Sequence, residues 1–406
     1  MQAKRKLLTM ERKLKLGIVG LGRGFTVLLP TLIFHPRLEI IAAADIRAEA
    51  RDQFELDFGG RAFETIEEMC EKADIDVVYI ATPHFCHADH AVAAARAGKH
   101  VLVEKPMALS LEDCTRMIEA AAAENVYLLV GPSHSYDLPI IETKRIIDSG
   151  SYGKLHLVAG INYTDFIYRP RRPDELNTAQ GGGVVYSQAA HQIDVARFLC
   201  GGLINTVYAT TGNYDSSRPT EGAYSAILKF VGGAVANLTF SGYGHFDSDE
   251  FCDWRGETGK PKDPKNYGAA RRALGELRSR LDEGKLKADR AFGGRSSSKL
   301  PIAPPQGLTH EHFGFLVVSC TDCDIRPMPS GVRIYANEET IEHPLRPPAV
   351  PRAEVIDELS AAILDGVPPI HTGEWGRATF EACMAVVQSA NGEGEVSLKH
   401  QVAAGD

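Results

Sequence analysis

Five continuous apolar runs punctuate the first 131 residues: "LKLGIVGLG" (14–22), "LEIIAAAD" (38–45), "DVVYIATP" (76–83), "HVLVEKP" (100–106) and "VYLLVG" (126–131). Stretches with helical character separate them, at 47–57, at the alanine-rich 87–97 and at 110–123. Strands that are apolar on both faces and alternate with helices form a parallel sheet covered on both sides. The sequence therefore predicts an α/β fold whose N-terminal unit is a doubly wound, Rossmann-type sheet ending near Gly131–Ser133.

The rhythm then changes. A helix is predicted near 139–149, and "KLHLVAGINYTDF" alternates as a half-exposed strand does. Residues 223–244 read as two strands joined at Gly232–Gly233, and "GVRIYAN" reads as another. The second unit is thus expected to be α+β. Its sheet is open and largely antiparallel, with helices on one face and a flat face free for a subunit partner. Residues 254–300 interrupt this unit with Lys, Arg, Gly and Ser, and the sequence reading is a solvated insertion with one helix near 268–289. A further helix opens at Pro351 and another covers 374–391. With 406 residues, more than one ordinary core holds, two domains are expected: 1–132 for a dinucleotide and 133–406 for substrate and oligomer contacts.

Composition removes several function classes. The net charge of −9 argues against nucleic acid as a partner. No apolar run reaches the roughly 18 residues of a membrane span, and the basic N-terminal stretch lacks the apolar centre of a secretory signal. The eight cysteines include one close pair, Cys320 and Cys323, without a second pair to complete a zinc site. They read as reduced thiols of a cytoplasmic protein, and no metal is expected.

"GLGRGF" (20–25) follows the first strand and opens a helix. Gly20 permits the tight turn and Gly22 a close backbone approach to a pyrophosphate, which the N–H groups of Arg23, Gly24 and Phe25 then face. The third fingerprint position is Phe25, with Gly24 one place early. Asp45 ends the second strand, where a carboxylate accepts the adenosine ribose hydroxyls. Ile46 and Arg47 flank it. A carboxylate there repels a 2′-phosphate, so NAD is expected over NADP, with Arg47 leaving room for the latter.

"GGGVVYSQAAHQIDV" (181–195) places Ser187, His191 and Asp194 at helical spacing on one face. A lone histidine on an apolar helix face is often only structural. Together with "VLVEKPMALS" and "ATPHFCHADHA" (81–91), however, the stretch resembles the glucose–fructose oxidoreductase, inositol dehydrogenase and rhizopine-catabolism (Gfo/Idh/MocA) family over nearly the whole chain except the insertion. The resemblance implies a Rossmann domain and hydride transfer to nicotinamide. It also implies a catalytic lysine in "EKP", here Lys105, and a catalytic histidine, here His191. Cofactor contacts are implied at Thr82, Pro83, His84, His87, Glu104 and Lys105. Two positions depart from the family pattern: Ser187 stands where the family has Asp, and His84 where it has Asn. Asp194 is the residue that can compensate, by orienting His191.

Within that family, "NYTDFIYRPRRPDEL", "SGYGHFDSDE" and "PAVPRAEVIDEL" are similar to the phthalate 4,5-cis-dihydrodiol dehydrogenases of aromatic degradation. That similarity implies oxidation of a ring cis-diol to a catechol. Arg169, Arg171 and Arg172, beside Tyr168, are candidates to clamp ring carboxylates, because guanidinium binds carboxylate bidentately. His134 and Asn162 are further candidates at the substrate. The expected partners are an anionic ring diol and further copies of the chain, as dimer or tetramer. Two alternatives stand beside this reading: a sugar or cyclitol dehydrogenase, and a nucleotide-sensing regulator without catalysis.

Overall fold

The computed structural model describes residues 12–266, 268–277, 280–296 and 299–405; the basic N-terminal stretch lies outside them. The first sheet is built from β1 (Leu14–Val19), β2 (Leu38–Ala44), β3 (Arg61–Phe63), β4 (Val77–Ile80), β5 (His100–Val103) and β6 (Leu128–Val130). Its order is β3-β2-β1-β4-β5-β6, all parallel. The helices are α1 (Arg23–Phe34), α2 (Ala48–Phe58), α3 (Ile66–Lys72), α4 (His87–Arg96) and α5 (Leu111–Ala123). Strand order reverses between β1 and β4, the position at which ligands bind in doubly wound sheets. The apolar runs become strands because both faces are covered: Ile18, Val77, Tyr79 and Leu102 face one core, and Val19, Val78, Ile80 and Val103 the other.

After α6 (Leu138–Asp148) come β7 (Leu155–Tyr163), α7 (Ala190–Cys200), β8 (Ile204–Gly212), β9 (Ala223–Phe230) and β10 (Val235–Ser241). The insertion contributes α8 (Ala269–Gly275) and α9 (Arg280–Arg290). The chain then forms β11 (Phe315–Cys320), β12 (Cys323–Met328), β13 (Gly331–Ala336), β14 (Thr340–Pro344), α10 (Ala353–Asp365), α11 (Gly373–Gln388) and β15 (Val396–Ser397). The nine-stranded sheet runs β14-β13-β12-β11-β7-β10-β9-β8-β15 and is antiparallel except for the β7–β10 pair. Helix α7 packs on one face. The other exposes Leu157, Ile161, Tyr208, Ile227 and Tyr335. Among the described residues, no helix is long and apolar enough to cross a membrane.

Two expectations change, and the cysteines are as expected. "SCTDC" is the turn of the β11–β12 hairpin, and both its cysteines are free thiols. The helix expected over 268–289 is two helices. The insertion, expected to be solvated, is docked onto both sheets' layers. Glu283 of α9 is buried against Arg218, with Nη1 3.0 Å from each carboxylate oxygen. Phe292 is 3% exposed and packs edge-on against Phe25, centroids 5.3 Å apart. The Arg47 Nη1 donates to the Phe292 carbonyl at 3.1 Å. The segment is a strap running from the antiparallel sheet back to the start of the parallel one.

Candidate active site

The glycine turn after β1 is shaped for a dinucleotide. Gly20 has φ +88°, and a Cβ there would lie 2.9 Å from the Ala81 carbonyl oxygen, so a side chain is excluded twice over. A Cβ on Gly22 would meet only that same oxygen, at 3.9 Å, and otherwise faces open space. No side chain caps α1, so its first N–H groups remain available to an anion. Gly24 supplies the close packing expected of the third fingerprint glycine: a Cβ there would sit 3.1 Å from Glu104 Oε1. Phe25 is fully buried on the other side of the helix.

Asp45, at the end of β2, is already engaged. Oδ2 accepts from the Leu21 N–H at 2.7 Å and from Arg47 Nη2 at 3.1 Å, while Oδ1 accepts from the Arg47 N–H at 2.9 Å and its Nε at 3.1 Å. A ribose placed there would have to displace part of the Arg47 contact. Ile46 beside it is exposed and offers an apolar surface at the strand end. Beyond β4, Thr82 Oγ1 bonds His90 at 3.1 Å, and His87, fully buried, sits 3.0 Å from the carbonyls of both Thr82 and Pro106. These contacts hold the Thr82–Pro83–His84 turn against the EKP turn. Burial lowers the pKa of His84 to about 3 and that of His87 to about 4, so both imidazoles are neutral. Glu104 points under α1 and accepts from the Tyr79 hydroxyl at 2.7 Å. Its role here is to fix the turn from below.

Lys105 and His191 do come together, 86 positions apart in sequence. The Lys105 Nζ donates to the Ser187 carbonyl at 2.7 Å, and the Lys105–Pro106 bond is cis. Burial lowers the lysine pKa to about 8, against the opposing pull of Glu104 and Glu257. His191 packs edge-on against His134 with centroids 4.9 Å apart and lies 4.9 Å from the Phe313 ring. Its Nδ1 is 3.4 Å from Ser133 Oγ. Burial, then Lys105 and His134, hold the imidazole well below its ordinary pKa. The site thus pairs an amine that titrates near neutrality with an imidazole that stays neutral.

Ser187 and Asp194, expected on one face with His191, both bond elsewhere. A five-residue π-helical turn, Val185–Ala189, precedes α7. It turns the Ser187 hydroxyl back to the Gly183 carbonyl, leaving the Ser187 main-chain oxygen for Lys105. Gly183 is glycine because a Cβ there would lie 2.0 Å from the Glu221 carboxylate, which accepts from the Val185 N–H at 3.2 Å. Asp194 does not orient His191 either. It accepts from Ser135 Oγ, from Trp375 Nε1 at 2.5 Å and from Thr379 Oγ1 at 3.3 Å, and so ties α7 to α11.

The arginine loop divides. The Arg171 guanidinium lies over the Phe166 ring at 3.8 Å, and its Nη2 donates to the Phe166 carbonyl at 2.9 Å. Arg172 is forked onto Asp174, with contacts of 3.2 and 3.1 Å. Tyr168 carries the Arg271 guanidinium 4.3 Å over its ring. Arg169 is half-exposed, 5.2 Å over the same Phe166 ring, with Nη1 3.8 Å from Glu257 Oε2. His134 Nδ1 bonds Asp137 at 2.6 Å, and Glu311 gathers beside them within 4.8 Å, itself engaged by Arg352. Burial pushes His134 down to about 3 and Asp137 up to about 8. Asn162 is buried, its Oδ1 accepting from Ser248 at 3.1 Å.

Sequence reasoning missed Ser133, Phe313 and Glu257. Ser133 adjoined the expected domain boundary. Phe313 lay in no periodic run. Glu257 sits in the insertion that composition marked as solvent-facing.

Residues 14–132 match the model of an oxidoreductase family with an NAD-binding Rossmann fold, and residues 140–260 match the GFO/IDH/MocA C-terminal domain. The chain is 44% identical over 382 residues to 1-carboxy-3-chloro-3,4-dihydroxycyclohexa-1,5-diene dehydrogenase of Comamonas testosteroni, covering 94% of this chain and 96% of that one. A Bordetella bronchiseptica RB50 crystal structure superposes with a TM-score of 0.89 at 40% identity, covering 95% of this chain and 100% of the other. The WlbA dehydrogenase of Bordetella pertussis, solved with NADH and UDP-GlcNAcA, shares the fold with a TM-score of 0.67 at 21% identity over 96% and 99% of the two chains. A glycine turn fitted to a dinucleotide, a buried lysine at the carboxyl edge of β5 and these likenesses lead to one conclusion: the chain belongs to the GFO/IDH/MocA family of NAD-dependent oxidoreductases.

Proposed function

We propose that this enzyme oxidises the cis-dihydrodiol of a carboxylated aromatic ring to the corresponding catechol. The observation that carries the reading is the 44% identity, over 94% of the chain, to a dehydrogenase whose substrate is a carboxylated dihydroxycyclohexadiene. The phthalate 4,5-cis-dihydrodiol is the dicarboxylate of this class and the first substrate to try.

NAD, when bound, supplies the hydride acceptor. The residues do the rest. Lys105, uncharged above about pH 8, removes the proton of the hydroxyl whose carbon gives up its hydride. The Ser187 carbonyl fixes the direction of the amine. His191 and Ser133 offer hydrogen bonds on the neighbouring side. The α1 N-terminus and Arg23 hold the pyrophosphate, and Asp45 holds the ribose once Arg47 swings aside. The ring ketone so formed tautomerises, the adjacent ring carbon losing its proton as the ketone oxygen gains one, which completes the aromatic system, so the reaction runs in one direction. Asp45→Ala should raise the KM for NAD about tenfold or more, the value of a hydrogen bond to a charged group, and narrow the preference over NADP. Efficient use of NADP by the unmodified enzyme would refute this role.

Arg169 is the residue that reads the ring carboxylate. Truncating one partner of a desolvated charge pair costs about 2–5 kcal/mol. Arg169→Ala should therefore lower kcat/KM on the carboxylated diol by about 30-fold or more, and on a carboxylate-free diol only slightly. Equal losses on both would move the reading to a neutral polyol such as a sugar or cyclitol. One observation favours that second reading: Arg169 already faces an anion, Glu257, at 3.8 Å. A screen for NADH release with cis-dihydrodiols and cyclitols decides between them.

A further inference from the structure

The strap places an acidic side chain in the site. Two consecutive residues with left-handed backbone, Asp253 at φ 54° and Trp254 at φ 52°, turn the chain back after β10 and its following turn. The loop they open is closed by a bridge between Arg255 and Pro261 and by the Gly256 N–H to the Lys260 carbonyl at 2.9 Å. It is pinned from outside by His312, whose Nε2 bonds the Arg255 carbonyl at 2.7 Å, and by the Thr309 N–H to the Gly259 carbonyl at 3.1 Å. Glu257 stands inside this loop, on a frame that leaves its carboxylate little freedom.

The two carboxylate oxygens have different surroundings. Oε2 faces Arg169 Nη1 at 3.8 Å. Oε1 is buried and, among the described residues, has no hydrogen-bond partner. Burial opposes ionisation of Glu257, but Arg169, then His134, His312 and Lys105, hold its pKa below the ordinary value. A charged oxygen that is out of water and unpaired is costly unless something donates to it. Two of its electrostatic neighbours, Arg169 and Lys105, are the residues assigned to the ring carboxylate and the reacting hydroxyl, so a substrate lying between them can supply the missing donor. A second hydroxyl on the same ring face as the reacting one is such a donor.

We propose that Glu257 is a substrate-binding residue whose free oxygen accepts the hydroxyl of the cis-diol that is not oxidised. This rests on the dihydrodiol reading above. It gives the insertion a chemical role and divides the site's work: Arg169 between Glu257 and a ring carboxylate, Lys105 and His191 at the reacting hydroxyl. It also makes the enzyme selective for the cis isomer, because the trans isomer turns its second hydroxyl to the opposite ring face.

The test compares the cis-diol, the trans-diol and the ring mono-alcohol in unmodified enzyme, Glu257→Ala and Glu257→Gln, with NADH binding followed by nicotinamide fluorescence. Glu257→Ala should lower kcat/KM for the cis-diol about 10- to 100-fold, chiefly through KM. It should change the mono-alcohol less than threefold and leave NADH binding intact. Glu257→Gln, which keeps a neutral acceptor, should fall between. Equal losses on diol and mono-alcohol, or no loss on the diol, overturn the proposal. If Glu257→Ala does not fold, the cis/trans ratio of unmodified enzyme decides: a ratio near one overturns the role, and a ratio of tenfold or more supports it. Diol turnover by the unmodified enzyme with an unchanged Glu257→Ala overturns this role alone. No turnover of any diol overturns the dihydrodiol reading and this role with it.

Discussion

Lys105→Ala is expected to lose the chemical step by about 10²–10⁴-fold in single turnover, the usual worth of a positioned base, while NAD still binds. The amine lies at the carboxyl edge of β5, directed by the Ser187 carbonyl at 2.7 Å. The nearby imidazole is a poor base, because burial and the Lys105 charge hold it neutral. His191→Ala should therefore cost less than Lys105→Ala, and the reverse order would reassign the base. The pH profile gives an independent check. The active form of Lys105 is the neutral amine, and its pKa is lowered to about 8. Oxidation, read as kcat/KM, should rise with pH up to about 8 and level off above it. A limb near 6.5 that disappears in His191→Ala would contradict this assignment.

The second large effect concerns stability. Arg218 and Glu283 are both buried, and Glu283 also accepts from the Arg171 N–H at 3.0 Å. Removing one partner of a buried pair leaves an uncompensated charge and costs about 3–5 kcal/mol. Glu283→Ala should show this in denaturant or thermal unfolding, the more so because Arg218 Nε and Nη2 have no other partner among the described residues. Replacing both residues with apolar ones of similar volume should recover most of the loss. A Glu283→Ala protein with unchanged unfolding and hydrogen-exchange behaviour would show that the strap adds nothing to the folded state.

The parallel sheet was legible because its strands are buried on both faces and read as unbroken apolar runs. Arg61–Phe63 and Ile66–Lys72 escaped notice for a physical reason: three and seven residues are too short to establish a period. Lys105 and His191 could be found because glycine turns and the EKP triplet mark them locally. The partners of Asp194 could not. Trp375 is 181 positions away, and nothing near "HQID" says that the carboxylate turns from His191 to an indole N–H. The strap was misread for the same reason. Its polar composition suits water, yet Glu283 is buried against Arg218 and Lys287 pairs with Glu175, pairings 65 and 112 positions long. Composition records the charges and not their partners.

The strap has Glu257 near one end and Phe292 near the other, and the Arg218–Glu283 pair anchors it between them. Phe292 rests on Phe25 of the helix that opens at the glycine turn, and its carbonyl holds the Arg47 that occupies Asp45. A dinucleotide that drew Arg47 off Asp45 would therefore disturb a residue bonded to the same segment that carries Glu257. Thermodynamic linkage makes such a connection reciprocal: whatever factor the dinucleotide adds to the affinity for the ring, the ring returns to the dinucleotide. One stretch of sequence thus touches both the helix at the glycine turn and the loop that carries Glu257.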